Sequence, residues 1–548
     1  MRKQKWFRTL SLALAAGMLL AGCKSAAEPA QGGAETEAAE VSEDFNETGY
    51  PIVNEKINVS MMGSKAAIQG AWEGLVFFKD MEEKTNISFT FDTPASEVFE
   101  EKKNLALAGG SYPDVFFGAN LTTAQQIKYG MEEGILIPLD ELIEKYGPNI
   151  TQMFEEHPEV KASITAPDGH IYALPNFNQG SLAKTPTWWY NAEWLEALGV
   201  TELPTTTEGF YELLKRFKTE DPNGNGEADE IPFTFIVNAG NMDYTDPNLY
   251  ILPAFGVNSA RIYVDNGVVK YGALEENFKE YLKYMNRLFT EGLIDQEWAT
   301  QDDSTRIGKA KGNTVGIAAQ AIPQNLYDVT DAEEAKAYPL APALSSEFSG
   351  GKQRYLLYSQ GITQGAFAIT NKCTAPEAMI RWADYLYGEE GSFFIHYGNE
   401  GELWEMAEDG RYEHITPEGG MSVEEYRGGI VTPDCGTTTP KWVRPSTVSN
   451  WVDPFQSVRI EQVDELVLPY ADVAFPSTYF MPEQQNRIDV IEADLNKYME
   501  EMEAAFFAGT KNIDSEYDNF TATLKKMNVE ELIRAVSPSG ARDIYPAP

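Results

Sequence analysis

The sequence predicts an α/β protein of two or more domains, and three observations carry that prediction. Short β-rich runs alternate with amphipathic helical patterns from residue 55 onward, which is typical of a largely parallel sheet flanked by helices. The 548 residues are enough for a large core and for more than one domain. Aromatic residues make up 12% of the chain, so ring faces are available for cores and for a ligand. In such a fold, ligands bind at the carboxyl ends of the strands.

The first part of the globular region shows the clearest alternation of strand and helix. Apolar runs and period-two patterns predict strands, apolar residues spaced three and four apart predict helices, and glycine and proline mark breaks. The predicted elements, in order, are a strand over KINVSMM (56–62), a helix ending near residues 82–84, a strand over ISFTFDT (87–93), a helix through residues 103–108, a break at residues 109–113 and a strand over DVFFG (114–118).

A later stretch, NFKEYLKYMNRLFTEGLI (277–294), is predicted to form one amphipathic helix that Gly292 ends. Its apolar residues recur every three or four positions; they are Phe278, Tyr281, Leu282, Met285, Leu288 and Phe289. We interpret this stripe as core packing rather than as a binding site.

The first 22 residues have the pattern of a secretory signal. Four basic residues precede the short apolar stretch TLSLALAAGMLLAG, which is too short for a full membrane span. The stretch ends in Leu20-Ala21-Gly22-Cys23, which looks like a bacterial lipobox, so Cys23 is expected to carry the lipid and to become the mature N-terminus. Residues 23–54 are rich in alanine, glutamate, glycine and serine, and we interpret them as a disordered acidic tether. The protein is therefore expected on the outer face of the cell membrane, held by its N-terminal lipid only.

Composition disfavours several classes of function. With 43 Lys plus Arg against 84 Asp plus Glu, the formal charge of −41 repels nucleic acid and anionic membrane surfaces. The chain has four histidines, no Gly-x-Ser-x-Gly elbow and no His-x-x-x-His or Cys-x-x-Cys pair, so serine hydrolysis and transition-metal catalysis lack the residues they need. Glycoside hydrolysis by a pair of carboxylates remains an alternative, because the distance between two carboxylates in the fold cannot be read from the sequence. Cys373 and Cys435 are interpreted as structural, with a disulfide between them as the alternative.

The stretch DPNGNGEADEIP (221–232) predicts a calcium loop. Ca²⁺ takes six to eight oxygen ligands, and alternate positions of a tight loop turn their side chains inward. The candidate ligands are Asp221, Asn223, Asn225, the backbone carbonyl of Glu227, Asp229 and Glu230. Gly226 occupies the position of the sharp turn in an EF-hand-like loop, whereas Pro232 replaces the usual bidentate glutamate, so Glu230 is the expected substitute. The alternative is a solvated Asn-Gly turn without metal.

The neighbours of the loop indicate a structural role for the ion. PTTTEGFYELLKRFKTE (204–220) is a predicted helix with one apolar face, and IPFTFIV (231–237) is a predicted strand. An ion in the loop clips helix to strand, and no histidine or nucleophile accompanies it.

Several stretches together resemble one family. They are LAGC, NLALAGGSYPDVFF, DGHIYALP, WWYNAEWLEALGVTELPTTTEGFYELLKRFK, DPNGNGEADEIP, VKYGALEENFKEYLKYMNRLFTEGLIDQEWAT and QGAFAITNKCTAPEAMIRWADYLYGEEG. The chain resembles the family 1 extracellular solute-binding proteins, which are lipoprotein receptors of carbohydrate ABC importers. Within that family it looks like the calcium-containing subgroup of LipO-type and alginate-oligosaccharide-binding proteins. Single stretches are weakly diagnostic, but the set in this order is specific.

The resemblance implies a two-lobe, type II periplasmic-binding-protein-like fold that closes on its ligand in an interlobe cleft. The chain crossovers at the hinge are expected near residues 184–187 and 359–365. Residues 55–183 plus 366–455 then form the first lobe, and residues 188–358 plus 456–548 form the second, which carries the calcium loop 221–230.

The expected ligand contacts are residues near the crossovers, at strand ends and in loops. Sugar recognition needs flat apolar faces and planar polar groups. The candidates are Lys65, Asn120, Trp188, Trp189, Gln320, Glu402, Trp404, Trp442, Arg444 and Trp451. At most one of Trp188 and Trp189 is expected to face the cleft, because adjacent strand residues point to opposite sides.

The sequence and the resemblance together imply a non-catalytic, monomeric receptor that delivers an oligosaccharide to an ABC permease. A neutral or weakly charged sugar is favoured, because no basic cluster is evident. A secreted calcium-dependent carbohydrate-active enzyme and a peptide-binding receptor are the alternatives.

Overall fold

Two sheets, each inside its own hydrophobic core, organise the protein. The computed structural model describes residues 44–537 apart from residues 181–184, 237–244, 266, 328, 330–331, 416, 450–453, 474 and 476–477. Across this part of the chain, no helix is long and apolar enough to cross a membrane.

The strands are short, as expected for alternation with helices. They are β1 (Ile57–Met62), β2 (Ile87–Asp92), β3 (Val115–Phe117), β4 (Leu174–Asn178), β5 (Trp188–Tyr190), β6 (Ile231–Thr234), β7 (Ile262–Asp265), β8 (Val268–Tyr271), β9 (Val315–Ala319), β10 (Tyr355–Leu357), β11 (Ile362–Ile369), β12 (Trp404–Met406), β13 (Tyr412–His414), β14 (Lys441–Val443) and β15 (Ala471–Val473).

The α-helices range from one turn to seven turns. They are α1 (Val76–Thr85), α2 (Ser96–Ala108), α3 (Thr123–Gln126), α4 (Asp140–Tyr146), α5 (Pro148–Glu156), α6 (Pro158–Ile164), α7 (Ala192–Ala197), α8 (Thr207–Thr219), α9 (Glu276–Thr290), α10 (Asp303–Lys311), α11 (Ala332–Ala335), α12 (Pro376–Tyr385), α13 (Glu389–Tyr397), α14 (Val423–Tyr426), α15 (Pro445–Ser449), α16 (Pro454–Leu466), α17 (Pro482–Phe507), α18 (Ile513–Lys526) and α19 (Val529–Ala535).

The larger sheet has six strands in the order β14-β4-β11-β3-β1-β2. β1 is parallel to β2, with Ile57 opposite Ile87, and also parallel to β3. β11 is antiparallel to both β3 and β4, and β14 is parallel to β4. Five of the six strands therefore end at one edge, which is where an α/β sheet presents its binding loops.

The second sheet contains β5, β9 and β6 in that order. β6 and β9 are parallel, with Phe233 opposite Ile317, whereas β5 is antiparallel to β9. The carboxyl ends of β6 and β9 therefore share an edge with the start of β5.

The buried apolar side chains form one large core around each sheet and a smaller third cluster on the opposite face of β1, β3 and β11. The core of the six-stranded sheet takes residues between Ile52 and Phe177 and between Phe367 and Trp442. Trp382 of α12 lies at its centre, with Phe117 of β3 at a ring-centroid distance of 5.8 Å. The core of the second sheet takes residues between Trp188 and Tyr355 and again between Val463 and Val536. Burial of these large side chains is the main stabilising contribution to each core, at roughly 25 cal/mol per Å² of apolar surface.

The elements predicted from periodicity are confirmed to within a few residues. The strands predicted at 56–62, 87–93 and 114–118 are β1, β2 and β3. The apolar stripe predicted for residues 277–294 lies on α9, where Phe278, Tyr281, Leu282, Met285 and Leu288 are buried. The α/β fold class is likewise confirmed.

The predicted tether is too long at its carboxyl end. Ile52 is fully buried, and the ring of Phe45 meets Tyr146 edge-on at 5.2 Å. Residues 44–54 therefore belong to the first core, because their apolar side chains find partners on α1 and α4. Residues 23–43, including Cys23, lie outside the described residues.

Candidate ligand-binding site

The loop after β3, residues 118–121, is held against two other segments. A Cβ on Gly118 would lie 2.5 Å from Cγ2 of Thr437, and one on Gly365 would lie 2.1 Å from the carbonyl oxygen of Leu121. Both glycines also have positive φ angles. Glycine at these two positions lets the loop pack tightly, and the loop presents Asn120, which is exposed and has a φ of 46°.

The loop after β1 is fastened to the same neighbouring segment. Nε2 of Gln69 donates to the carbonyl of Cys435 at 3.0 Å and to Oγ1 of Thr437 at 2.9 Å. The Thr437 hydroxyl in turn donates to the carbonyl of Ser64 at 2.9 Å. Lys65 lies in this loop, half-buried, and its ammonium group has no hydrogen-bond partner among the described residues. The loops after β1 and β3 therefore form one rigid surface with residues 427–440.

A buried cation supports the strand end in each sheet. Lys103 of α2 is fully buried, and its Nζ donates to the carbonyl of Ala119, just past β3, at 2.8 Å. Arg306 of α10 is also fully buried, and its Nη1 donates to the carbonyl of Ala319, the last residue of β9, at 2.7 Å. Glu100 and Asp303, one helical turn earlier, pair with the two cations. We call Lys103 and Arg306 the two braces.

Gln320 follows β9 at the edge of the second sheet, as predicted, but its side chain is mostly buried. Its Oε1 accepts a hydrogen bond from the backbone N–H of Ala321 at 2.7 Å. Its carbonyl accepts from the Thr187 hydroxyl and from Nε1 of Trp189. Gln320 therefore shapes this edge and ties it to Thr187 and Trp189.

The prediction that Trp188 or Trp189 faces a ligand is wrong in this structure. Both rings are fully buried, and Trp188 stacks on Tyr250 at 5.7 Å. Alternation along β5 predicted that at most one of the two rings faces the cleft. However, both faces of this small sheet are covered by other elements, as for a central strand in an α/β fold.

Trp442, a predicted ligand contact like Arg444, is also buried in the structure. Trp442 lies on β14, is 1% exposed, and donates from Nε1 to Oε1 of Gln179 at 2.7 Å. The Arg444 guanidinium stacks on the Trp442 ring at 3.6 Å and donates to the carbonyl of Tyr387. Burial leaves the Trp442 ring no face for a sugar. Trp451 lies outside the described residues.

Trp404 lies in a groove away from the strand-end loops. The groove has a volume of about 630 Å³ and is built from α1, α13, the β12–β13 hairpin and residues 446–447. The rings of Phe393, Trp404 and Tyr412 contact one another. The centroid of Phe393 lies 4.8 Å from that of Trp404 and 4.5 Å from that of Tyr412, and the centroids of Trp404 and Tyr412 are 5.4 Å apart. Glu402 lies two residues before Trp404. Burial raises the pKa of the Glu402 carboxyl, and the charge of Asp80 raises it further.

A buried charge network that the sequence did not reveal holds the 427–440 segment in place. The Asp434 carboxylate is paired with the Lys441 ammonium and with Nδ1 of His396. Arg427 donates to the carbonyl of Asp434 at 2.6 Å. Burial and the charge of Lys441 lower the pKa of His396 to about 4. Burial alone would raise the pKa of the Asp434 carboxyl, but Lys441 and His396 lower it overall.

The predicted calcium loop is tightly wound. Asp221 has a φ of 47°, and its Oδ2 accepts from the N–H of Gly226 at 3.1 Å. Oδ1 of Asn225 accepts from the N–H of Glu227 at 2.7 Å. Glu230 is 3% exposed, and its Oε1 has no hydrogen-bond partner in the part of the chain that the structure describes. An orphaned buried carboxylate oxygen in an oxygen-rich loop fits a hard cation.

Within the described residues, carboxylates, imidazoles and thiols alone do not make a metal site. Among residues 44–537 with the gaps given above, no group of three or more His, Cys, Asp or Glu side chains is placed to hold a metal ion. The loop's proposed donors also include two asparagine oxygens and a backbone carbonyl, which that grouping leaves out. Cys373 and Cys435 are both free thiols.

The two sheets, each with its own core and with loops at its strand ends, have the α/β fold of a solute-binding protein. Residues 58–392 match the family model described as bacterial extracellular solute-binding protein. The chain belongs to this family, whose members bind solutes for transport and are not enzymes, as the sequence predicted.

Similar proteins show how widely this architecture is shared. The fructooligosaccharide ABC transporter substrate-binding protein FusA of Streptococcus pneumoniae is 30% identical over 482 residues, which cover 83% of this chain and 84% of FusA. Lipoprotein LipO of Bacillus subtilis is 22% identical, with 78% of each chain covered.

Solved structures of related proteins have the same fold. FusA in complex with kestose superposes with a TM-score of 0.68 at 26% identity, covering 88% of this chain and 98% of FusA. A FusA EF-hand mutant in complex with fructo-nystose has a TM-score of 0.67, with the same identity and coverage. The alginate-binding protein AlgQ2, solved without calcium ion, has a TM-score of 0.61 at 23% identity, covering 89% of this chain and 99% of AlgQ2.

Proposed function

We propose that this protein is the extracellular receptor of an ABC importer and that it captures an oligosaccharide. One observation carries the proposal: each core ends in a loop whose backbone a buried cation fixes, Lys103 at Ala119 and Arg306 at Ala319. Fixed loops at strand ends are what a receptor needs to recognise hydroxyl groups without reorganising on binding. The similarity to FusA, named for fructooligosaccharide, supports a sugar as ligand.

The proposed sugar contacts are Lys65 and Asn120 on one side and Gln320 on the other. Asn120 is exposed, and the Lys65 ammonium group has no hydrogen-bond partner in the part of the chain that the structure describes, so both have polar groups to offer to hydroxyls. One cation in a chain with a formal charge of −41 does not make a site for uronates. A neutral or weakly charged oligosaccharide fits best. The contact of Trp404 and Glu402 with sugar stays a prediction.

The proposed lobes are residues 44–183 plus 366–455, which include the segment 44–54 packed on the first core, and residues 188–358 plus 456–548; they close over the sugar. The separate cores support this division. Near the two proposed crossovers, the Tyr355 hydroxyl donates to the carbonyl of Pro186 at 2.8 Å. This hydrogen bond joins β10, which precedes the second crossover, to Pro186 in the first. Closure couples sugar binding to engagement of the permease, because a partner that prefers the closed form shifts the population towards it.

The receptor acts as a monomer anchored at Cys23, with residues 24–43 as its tether. Support comes from the lipobox and the acidic composition of that stretch. A tether of 20 residues reaches at most about 70 Å when fully extended, which is enough to present the folded body to a membrane-embedded permease.

Calcium has a structural role in this proposal. Asp221, Asn223, Asn225, Asp229 and Glu230 would hold the ion together with the carbonyl of Glu227. A bound Ca²⁺ supplies charge to the loop carboxylates, and the loop residues keep the end of α8 next to the start of β6. The orphaned Oε1 of Glu230 supports this assignment.

A ligand panel tests the proposed function. Purified protein is incubated with fructo-, gluco-, malto- and galacto-oligosaccharides and with short peptides, and its melting temperature is measured with product analysis in parallel. We expect one class of oligosaccharide to raise the melting temperature without being consumed. Asn120→Ala should weaken that shift, whereas Asn528→Ala, far from the loops on the turn before α19, should not. A shift with peptides only would refute the sugar assignment.

A further inference from the structure

The groove around Trp404 is a second surface with the attributes of a binding site. Its volume of about 630 Å³ lies within the range of about 300–1,000 Å³ that is usual for small-molecule pockets. No residue of the loops after β1, β3 or β9 lines it. Any ligand of this groove is therefore bound by different side chains from those at the strand ends.

The floor of the groove is aromatic and offers apolar surface. Phe393 lies against Trp404 at 4.8 Å with the ring planes at 76°, and Trp404 lies against Tyr412 at 5.4 Å with the planes at 86°. Edge-to-face packing places ring edges against ring faces and forms a corner. The indole N–H of Trp404 already donates to the carbonyl of Gly398 at 3.1 Å, so the ring's polar group is satisfied. What remains for a ligand is carbon surface, which suits the C–H face of a pyranose.

The rim of the groove is strongly acidic. Five carboxylates line it, against one lysine. The ammonium group of this lysine, Lys84, already has partners: its Nζ lies 3.1 Å from Oε1 of Glu390 and 4.7 Å from the centroid of the Tyr385 ring. Glu83 and Glu400 are exposed, and their carboxylates have no hydrogen-bond partners among the described residues. The rim therefore repels anions and favours a cation next to an aromatic floor.

We propose that this groove binds a sugar unit that carries an ammonium group, that is, a non-acetylated 2-amino-2-deoxyhexose. The rings take the C–H face of the pyranose, and the free carboxylates of Glu83 and Glu400 accept hydrogen bonds from the ammonium group. An N-acetylated sugar lacks the charge, and a uronate carries the wrong one. This inference rests on the proposed function as a sugar receptor and names one sugar class for a separate surface.

Three β-1,4-linked disaccharides of equal length test the proposal. They are chitobiose, which carries ammonium groups, N,N′-diacetylchitobiose and cellobiose. Binding to the full mature protein is measured by calorimetry at low ionic strength and mildly acidic pH, where the amines are protonated. We expect chitobiose to bind at least about ten-fold more tightly than either neutral disaccharide, a difference of about 1.4 kcal/mol. Added salt and higher pH should remove the preference.

Variants separate charge from stacking. Glu83→Gln/Glu400→Gln should remove the preference for chitobiose, whereas the control Glu202→Gln/Glu530→Gln, which removes two exposed carboxylates elsewhere, should preserve it. Trp404→Ala should abolish chitobiose binding, and Trp404→Phe should restore part of it. If chitobiose binds no better than cellobiose, or the double Gln variant keeps the preference, the proposal is overturned, even if Trp404→Ala fails to fold.

The proposed receptor function fails in a different way. In that case, no oligosaccharide of the ligand panel shifts the melting temperature, and Asn120→Ala changes nothing. If only the groove proposal fails, a panel oligosaccharide still binds in an Asn120-dependent manner, and its affinity is unchanged in the double Gln variant.

Discussion

The hydroxyl of Tyr479 donates a hydrogen bond to Oε1 of Gln126 over 2.7 Å, although 353 residues separate them in the chain. Gln126 is almost fully buried, and its Nε2 donates to the carbonyl of Leu121 at 2.8 Å. Phe480, the residue after Tyr479, packs against the core of the second sheet. The segment between β15 and α17 therefore contacts both α3 and the core of the second sheet, and it supports the loop after β3, although residues 456–548 were expected in one lobe only.

Tyr479→Phe should lower the stability of the protein. Loss of the hydroxyl leaves Oε1 of Gln126 buried without its donor, which costs about 1–3 kcal/mol. Thermal unfolding should show a lower melting temperature. Tyr470→Phe is the matched control, because Tyr470 is 38% exposed and its hydroxyl has no hydrogen-bond partner among the described residues. Equal melting temperatures for the two variants would show that the Tyr479 contact contributes no stability.

Lys103→Met should weaken oligosaccharide binding more than it affects folding. Methionine has about the same shape as lysine but removes the donor to the Ala119 carbonyl, so the loop that presents Asn120 loses its brace. We expect affinity to fall on the order of ten-fold, which corresponds to about 1.4 kcal/mol. Calorimetry checks this against Lys102→Met, whose lysine is exposed on the same helix. An affinity equal to that of the Lys102 variant would contradict the role of the brace.

Gly365→Ala should be severely destabilising. Its Cβ would lie within 2.1–2.7 Å of three backbone atoms of Leu121, and the φ of 71° disfavours any side chain. Backbone atoms cannot move aside as a flexible side chain does. Gly308→Ala is the contrasting change, because Gly308 lies in α10 with open space around its Cα. That variant should gain about 0.5–1 kcal/mol from helix propensity. Urea unfolding of both variants distinguishes these outcomes; an unaffected Gly365→Ala would be inconsistent with the close approach.

Acidification should destabilise the wild type more than His396→Gln. The folded pKa of His396 is about 4, below its ordinary value of 6.5. The unfolded chain therefore takes up the proton first, and the stability present above about pH 6.5 is lost as the pH falls towards 4. Burial acts in the opposite direction on two carboxyls, since it raises the pKa of Asp384 to about 6 and that of Asp246 to about 7.

Both carboxyls are present in the wild type and in the variant, so the difference between the two proteins isolates His396. The difference between the melting temperatures at pH 7.5 and pH 5 should be larger for the wild type than for His396→Gln. A shift of about 2–4 °C corresponds to 1 kcal/mol in a domain of 150–250 residues. Identical pH profiles would show that His396 titrates alike in the folded and unfolded chain.

Removal of calcium should lower the melting temperature of the wild type. A bound ion stabilises the folded state by about 2.7 kcal/mol when its free concentration is 100 times the dissociation constant. Chelation removes that contribution, and sugar binding by the still-folded protein should persist. Glu230→Gln should start from a lower melting temperature and respond little to chelator. No change in the wild type after verified metal removal would refute the calcium assignment.

Local periodicity was sufficient to predict the strands and helices whose apolar pattern is clear. The apolar spacing of α9 and the β-rich runs of β1 and β2 depend on near neighbours in the chain, so they can be read from the sequence. The positions of Lys65 and Asn120 just past strands followed from the same alternation. Their role as ligand contacts stays a prediction.

Burial could not be read in the same way. Trp188 and Trp189 alternate along β5, but whether either face is exposed depends on distant segments such as the one that carries Tyr250. The Asp434 network escaped detection because its members come from α13, residues 427–435 and β14, and no local spacing joins them. For the same reason, the role of Gln69 in fastening the loop after β1 could not be predicted, because these two partners of its Nε2 lie more than 360 residues away.

The two braces act on backbone carbonyls, so they hold the paths of the loops without fixing the side chains that the loops display. Residues 120 and 321 can therefore be varied in a mutant library while Lys103 and Arg306 keep the main chain in place. This makes the protein a practical scaffold for sugar biosensors, in which selectivity is retuned at the loop positions and the folded framework is left alone.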